Sequence, residues 1–336
     1  MSSWAAPLAE AYGACDELAR SHYENFPVAS RLLPAAMRPH VAALYAFARV
    51  ADDIADEGTA PAVQRQIQLG AWQAGLHDVV AGAAAGVVAG AVAGVVAGHV
   101  AGDRHGVPTS NAAVGPGPTA RERLILIAAG HTIRSLDLPI ALFDDLVSAF
   151  RQDTMTVRYA SWCDVLDYCR RSANPVGRLV LRIAGYRDDA LDRSSDALCT
   201  ALQLTNFWQD FGRDWENGRL YVPREIQDAC GASEDDLGRG GRLPPAWARA
   251  IEECAALTRR QFADGRLVCD AVRGRLRVEL RVTWLGGMRI LDRAEGGRYT
   301  LFDRRPALGK GDLPWFLWRA LWWPRRRPHA TDMSPA

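Results

Sequence analysis

Apolar residues recur at three- and four-residue spacing along most of this chain, and alternating apolar–polar runs bounded by turn residues are scarce. That periodicity leaves little room for a sheet and predicts an all-α bundle. The helical stretches fall at about 8–21, 36–57, 61–78, 120–135, 139–151, 161–171, 175–185, 189–214, 245–272 and 277–293. Pro39, Pro139, Pro175, Asn217-Gly218, Pro223 and the segment from Gly231 to Pro245 mark the joints. Apolar residues make up 49% of the 336, enough for a substantial core.

Two stretches stand apart. From Val79 to Gly102, glycine recurs every fourth residue in a V-V-A-G-like repeat, followed by a Gly/Pro/Ser-rich segment to Thr119. Alanine and glycine contribute little transfer energy, so 79–119 reads as a low-complexity insertion and linker rather than a spanning helix. The tail, 312–336, carries Trp315, Trp318, Trp322 and Trp323 and then Arg325, Arg326 and Arg327. Those residues suit contact with an anionic membrane surface, and equally a cover for the bundle's own flank. One helical domain over 1–311 followed by this tail is the expected organisation.

A net charge of +1 argues against a nucleic-acid partner. The seven cysteines are scattered without a C-x-x-C pair, which fits reduced thiols. Residues 1–20 carry Glu10, Asp16 and Glu17 and no signal pattern. The expected location is the cytoplasm, with the inner face of the cell membrane as a peripheral site. Walker A, G-x-G-x-x-G and H-E-x-x-H motifs are absent, so no nicotinamide cofactor is expected.

The most informative run is Val41 to Asp56. At about 100° per residue, Tyr45, Arg49, Asp52 and Asp56 share a stripe roughly 60° wide, and the other faces are mostly Ala, Val, Leu, Phe and Ile. A helix apolar almost all round is normally buried, so the stripe is expected to face a central cavity. Carboxylates there need a cation. A second run supplies the match: Gln203, Asn206, Asp210 and Asp214 recur at i, i+3, i+7 and i+11. Two D-x-x-x-D helices facing one cavity would form an oxygen cage for hard divalent ions, Mg²⁺ or alternatively Mn²⁺. Asp53 lies off the stripe and is expected to make a salt bridge.

These residues resemble the squalene/phytoene synthase family. The runs Leu44–Asp56 and Gln203–Pro223 look like its two signature regions, and the similarity extends from about His22 to Tyr299 apart from the insertion. His22-Tyr-Glu-Asn-Phe-Pro-Val-Ala-Ser30, Leu32-Leu-Pro34 and Tyr168-Cys-Arg-Arg-Ser-Ala-Asn-Pro-Val-Gly177 resemble the hydroxysqualene synthase branch of the bacterial hopanoid pathway. Tyr23, Asn25 and the basic residues after Tyr168 depart from the general family, and point away from its usual first half-reaction, the joining of two farnesyl diphosphates.

The resemblance implies an isoprenoid-synthase-type bundle that converts presqualene diphosphate and water to hydroxysqualene and pyrophosphate. An upstream synthase would supply the substrate and a downstream reductase would finish squalene. Asp52, Asp56, Asn206, Asp210 and Asp214 would hold the metal. Arg49, with Arg171 and Arg219, would contact the diphosphate, and His22 and Phe26 would lie at substrate entry. Tyr45, Tyr168, Gln203 and Tyr221 would face the reacting carbon skeleton. Head-to-head condensation of two prenyl diphosphates is the alternative, and a non-catalytic membrane-associated scaffold is the reading from another class.

Overall fold

The computed structural model describes residues 6–21, 33–82, 117–238, 241–309 and 311–323. His22, Phe26, Tyr23 and Asn25, most of the 79–119 insertion and Arg325–Arg327 lie outside them. The described residues are helical, and their only extended pairing is an isolated bridge between Arg158 and Leu220. No described helix is long and apolar enough to cross a membrane.

The chain forms two compact units. The first holds α1 (Ala6–Ser21), α2 (Arg38–Asp56), α3 (Ala62–Val80), α4 (Ala120–Leu136), α5 (Ala141–Asp153) and, after an excursion, α7 (Asn174–Ile183). Its core is aromatic. Phe47 of α2 stacks on Trp72 of α3 at 5.4 Å and meets Phe143 of α5 edge-on at 5.3 Å, all three buried. One polar network crosses this core: the Tyr12 hydroxyl lies 2.9 Å from His131 Nδ1, 2.8 Å from Thr132 Oγ1 and 3.3 Å from His40 Nδ1. It ties α1 to α2 and α4, and burial pushes the pKa of both histidines down.

The second unit holds α6 (Trp162–Ser172), α8 (Asp189–Gln209), α9 (Phe211–Glu216), α10 (Arg224–Cys230), α11 (Pro245–Asp264), α12 (Arg266–Ala271), α13 (Gly274–Gly296) and α14 (Asp312–Leu321). Two helices expected to be continuous are broken. The run 189–214 stops at Asp210, whose backbone (φ −97°, ψ 11°) leaves the helical well before α9 begins. The run 245–272 divides at Gly265, where the chain presses against the backbone of α8 at Leu198. Helices α10 and α14 are additions to the expected set.

Glu279 of α13 is 6% exposed, its Oε2 has no hydrogen-bond partner among the described residues, and burial pushes its pKa up to about 7. The folded chain therefore holds a proton that the unfolded chain releases near 4.5. This raised carboxyl makes stability fall as pH climbs from about 4.5 to about 7, with the full cost present above that range. Glu279→Gln is expected to stabilise the protein on the order of 2–3 kcal/mol at pH 8 and to change little at pH 4.5. Urea unfolding at the two pH values measures the difference.

Candidate active site

The first acidic motif is carried by α2, which starts with Pro39 in its first turn, where a missing N–H costs nothing. Ala42, Ala43, Leu44, Ala46, Phe47, Val50, Ala51 and Ala55 bury the helix, and the stripe Tyr45, Arg49, Asp52 and Asp56 is left out of that core. The stripe is more open than the sequence suggests: Asp56 is exposed and the Asp52 side chain is 40% exposed. Both sit in the last two turns, where the apolar surround of the helix ends.

Arg49 is the counter-ion of this cluster. Its guanidinium lies 3.1 Å from Asp52, 2.5 Å from Asp53 and 2.8 Å from Glu57. Asp53 thus makes the expected salt bridge. Three carboxylates (Asp52, Asp53 and Glu57) thus share the Arg49 guanidinium. Burial pushes the Tyr45 phenol pKa up, and the Arg49 charge partly offsets that rise. The end of α2 is also fastened by Arg65, which donates to the carbonyls of Ile54, Ala55, Gly58 and Ala60 at 2.6–3.0 Å. A cation bound to the last carbonyls both caps the helix and holds its dipole.

The second motif sits in the second unit, at the break between α8 and α9. Gln203 is half-buried and Asn206 exposed. Asn206 Nδ2 donates to Asp210 Oδ2 at 3.0 Å, and the Asp214 N–H donates to the Asp210 carbonyl at 2.9 Å. Asp210, 17% exposed in its side chain, is also gripped by Arg305 in a two-point fork, with Nη2 donating to Oδ2 at 3.0 Å and Nε donating to Oδ1. The Arg219 N–H closes the following turn onto the Asp214 carbonyl at 2.7 Å.

Gly212 makes that fork possible. A Cβ there would lie 2.9 Å from the Leu301 carbonyl oxygen and 3.0 Å from Phe302 Cα. Only a hydrogen lets 301–302 run against the motif, and that path carries Arg305 to Asp210. Gln209 Nε2 adds a bond to the Pro306 carbonyl at 2.6 Å. Gly212→Ala is expected to push the two segments apart, costing about 2 kcal/mol and weakening divalent-metal binding because Asp210 loses its placement. Thermal unfolding and Mn²⁺ titration by electron paramagnetic resonance check both effects.

Tyr168 and Tyr221 come together in one aromatic wall with Tyr159 and Phe207. Phe207 and Tyr221 stack at 3.7 Å, Tyr159 lies 5.7 Å from Tyr221, and Tyr168 lies 6.2 Å from it. All four are buried. Asp214 and Arg219 border a small crevice with Phe207, Phe211 and Tyr221. Arg171, in the same unit, pairs with Asp167 at 2.9 Å, as does Arg170.

Among the described residues, no group of three or more His, Cys, Asp or Glu side chains is gathered closely enough to hold a metal. Each motif, taken by itself, nevertheless carries donor chemistry suited to a divalent ion. Asp52, Asp56, Asn206, Asp210 and Asp214 offer hard oxygen ligands, and an arginine already supplies positive charge to each motif: Arg49 at Asp52, Arg305 at Asp210.

Comparison with known proteins shows the family and the fold. The family profile described as Squalene/phytoene synthase matches residues 19–312. The chain belongs to this family. As a squalene/phytoene synthase family enzyme, it is 32% identical over 261 residues to the hydroxysqualene synthase of Rhodopseudomonas palustris, covering 77% of this chain and 75% of that protein. It is 37% identical over 239 residues to the hydroxysqualene synthase of Zymomonas mobilis, covering 70% and 66%. Its fold matches the crystal structure of squalene synthase HpnC from Alicyclobacillus acidocaldarius with a TM-score of 0.72 and 34% identity, over 89% of this chain and 98% of that one. The all-helical isoprenoid-synthase architecture is thereby shared across nearly the whole family enzyme.

Arg65, Gly212 and Arg305 are absent from the residues singled out in the sequence. Arg65 binds backbone carbonyls, which leave no side-chain signature. Arg305 is 95 residues from Asp210 in a chain rich in arginine. Gly212 was visible inside the D-F-G-R-D run, but its neighbour, 301–302, was not.

Proposed function

We propose that this family enzyme converts presqualene diphosphate and water to hydroxysqualene and pyrophosphate. The observation that carries this reading is the pair of acidic motifs, each holding its carboxylates beside a guanidinium. They occur in a chain similar to proteins named hydroxysqualene synthase in two bacteria. The carbon–oxygen bond to the diphosphate breaks with its electrons leaving on oxygen. A carbon–carbon bond of the cyclopropane ring then breaks, its electrons forming the new carbon–carbon double bond and leaving an open-chain carbocation. A water oxygen bonds to that carbocation, and its surplus proton passes to solvent.

Asp52, Asp56, Asn206, Asp210 and Asp214 would hold Mg²⁺ or Mn²⁺, which when bound supplies positive charge to the leaving diphosphate. Arg49 and Arg219 add guanidinium contacts to the same oxygens, and Arg171 is a further contact once released from Asp167. Tyr168 and Tyr221, with Tyr45, offer ring faces that stabilise positive charge on carbon, and Gln203 orients polar groups near it. His22 and Phe26 are assigned to substrate entry by family resemblance alone. A condensing synthase supplies the substrate and a reductase consumes the alcohol. The enzyme works in the cytoplasm, against the inner face of the membrane that dissolves so apolar a substrate.

Purified protein with Mg²⁺, given presqualene diphosphate and farnesyl diphosphate in separate reactions, is expected to yield hydroxysqualene from the first alone by mass spectrometry. A condensed product from farnesyl diphosphate would assign the chain to the condensing members of its family instead.

A further inference from the structure

Helix α14 is apolar on the side that faces water. Trp318 is 54% exposed, Leu321 70% and Trp322 71%, with Trp315 and Leu317 also exposed on the same half of the helix. At 100° per residue these five fall on one side, opposite the buried Phe316, Ala320 and Trp323.

This orientation is fastened from the opposite face. Asp312 opens the helix by pairing with Arg293 at 2.8 Å and accepting the Gly309 N–H at 2.7 Å. At the other end, Arg281 donates to the Ala320 carbonyl at 3.2 Å. The Trp323 ring lies under the guanidiniums of Arg266 at 4.3 Å and Arg281 at 5.3 Å, with the Trp284 ring at 5.3 Å from its centroid. With one face held this way, rotation cannot hide the outward tryptophans.

These contacts also give the helix a direction. It starts beside Arg293 and ends beside Arg281, antiparallel to α13. Its tryptophan-rich end therefore lies toward the first turns of α13, where Arg273 and Arg275 are exposed and Arg277 is half-buried. Also at this end, Asp270 pairs with Arg281 at 3.4 Å, and Glu279 is buried. Arg325, Arg326 and Arg327 follow in the sequence.

We propose that this face of α14 docks on an anionic lipid bilayer, with Trp315, Trp318, Leu321 and Trp322 entering the headgroup region and the exposed Arg273 and Arg275 meeting lipid phosphates. Tryptophan and leucine on one face with arginine at one end is the chemistry of an interfacial helix. A protein partner or second copy would need acids of its own to meet the exposed arginines beside this apolar face. The proposal deepens the membrane location given above but holds whichever prenyl reaction the enzyme performs.

Flotation of the full-length protein with phosphatidylcholine vesicles, with and without phosphatidylglycerol, tests it. The bound fraction is expected to rise at least about tenfold with phosphatidylglycerol and to fall with added salt. Trp318→Ser/Leu321→Ser/Trp322→Ser should lose binding while keeping the wild-type circular dichroism and melting curve, since all three side chains point outward. Arg273→Gln/Arg275→Gln should reduce binding to phosphatidylglycerol vesicles alone. Vesicle binding that survives both sets of changes would overturn the proposal. So would a wild type that ignores vesicles and dimerises through this face, with the serine variant monomeric. Neither vesicle result depends on product formation, so failure here is distinct from failure of the proposed reaction.

Discussion

Replacing Asp210 by alanine should cut turnover of the prenyl diphosphate by about 10³-fold or more while leaving the fold in place. The carboxylate takes bonds from Asn206 and from both ends of the Arg305 fork. Loss of that fork costs little stability, because the Arg305 side chain is 38% exposed and partly solvated ion pairs contribute less than about 1 kcal/mol. The loss in catalysis is larger because the diphosphate gathers negative charge as its bond to carbon breaks, and the carboxylate is what retains the cation opposing it. Steady-state rates with Mg²⁺, beside a urea denaturation curve, separate the two effects. An Asp210→Ala protein with near wild-type turnover would remove Asp210 from the metal-binding set.

Gly265→Ala should be strongly destabilising, costing about 3 kcal/mol or more. The backbone there is ordinary (φ −72°), so the penalty is one of space. An added Cβ would stand 2.6 Å from the Leu198 nitrogen and 2.7 Å from its Cα. Those atoms belong to the interior of α8 and cannot give way singly. Ser194 stitches the same junction, donating to the Asp264 carbonyl and accepting the Val268 N–H, each at 3.0 Å. Separating α11–α12 from α8 would break both bonds and disturb the helix that carries Gln203 and Asn206. A urea midpoint within error of wild type would show that this junction has slack the structure does not display.

Much of the helical architecture was legible in the chain because apolar spacing follows helix geometry directly. The stripe Tyr45–Arg49–Asp52–Asp56 lies as the 3.6-residue period places it, since nothing in α2 interrupts the helix. The second motif obeyed the period only as far as Asn206. Asp210 leaves the helix where Arg305 grips its carboxylate, a tertiary contact that no local pattern encodes. The α11–α12 break has the same origin, a close approach of two backbones that shows in sequence only as one more glycine. The tail illustrates a third limit. Its composition named both candidate roles for the tryptophans, and the structure divides them: Trp323 packs inward against arginines and Trp284, while Trp318 and Trp322 face out.

The most direct test of the central claim is to run the reaction on presqualene diphosphate in ¹⁸O-water, with Mg²⁺ and with a chelator, and weigh the products. The account predicts hydroxysqualene carrying one ¹⁸O, formed only with metal, because the carbon–oxygen bond breaks and water captures the carbon. Unlabelled alcohol, or product that persists in chelator, would contradict it.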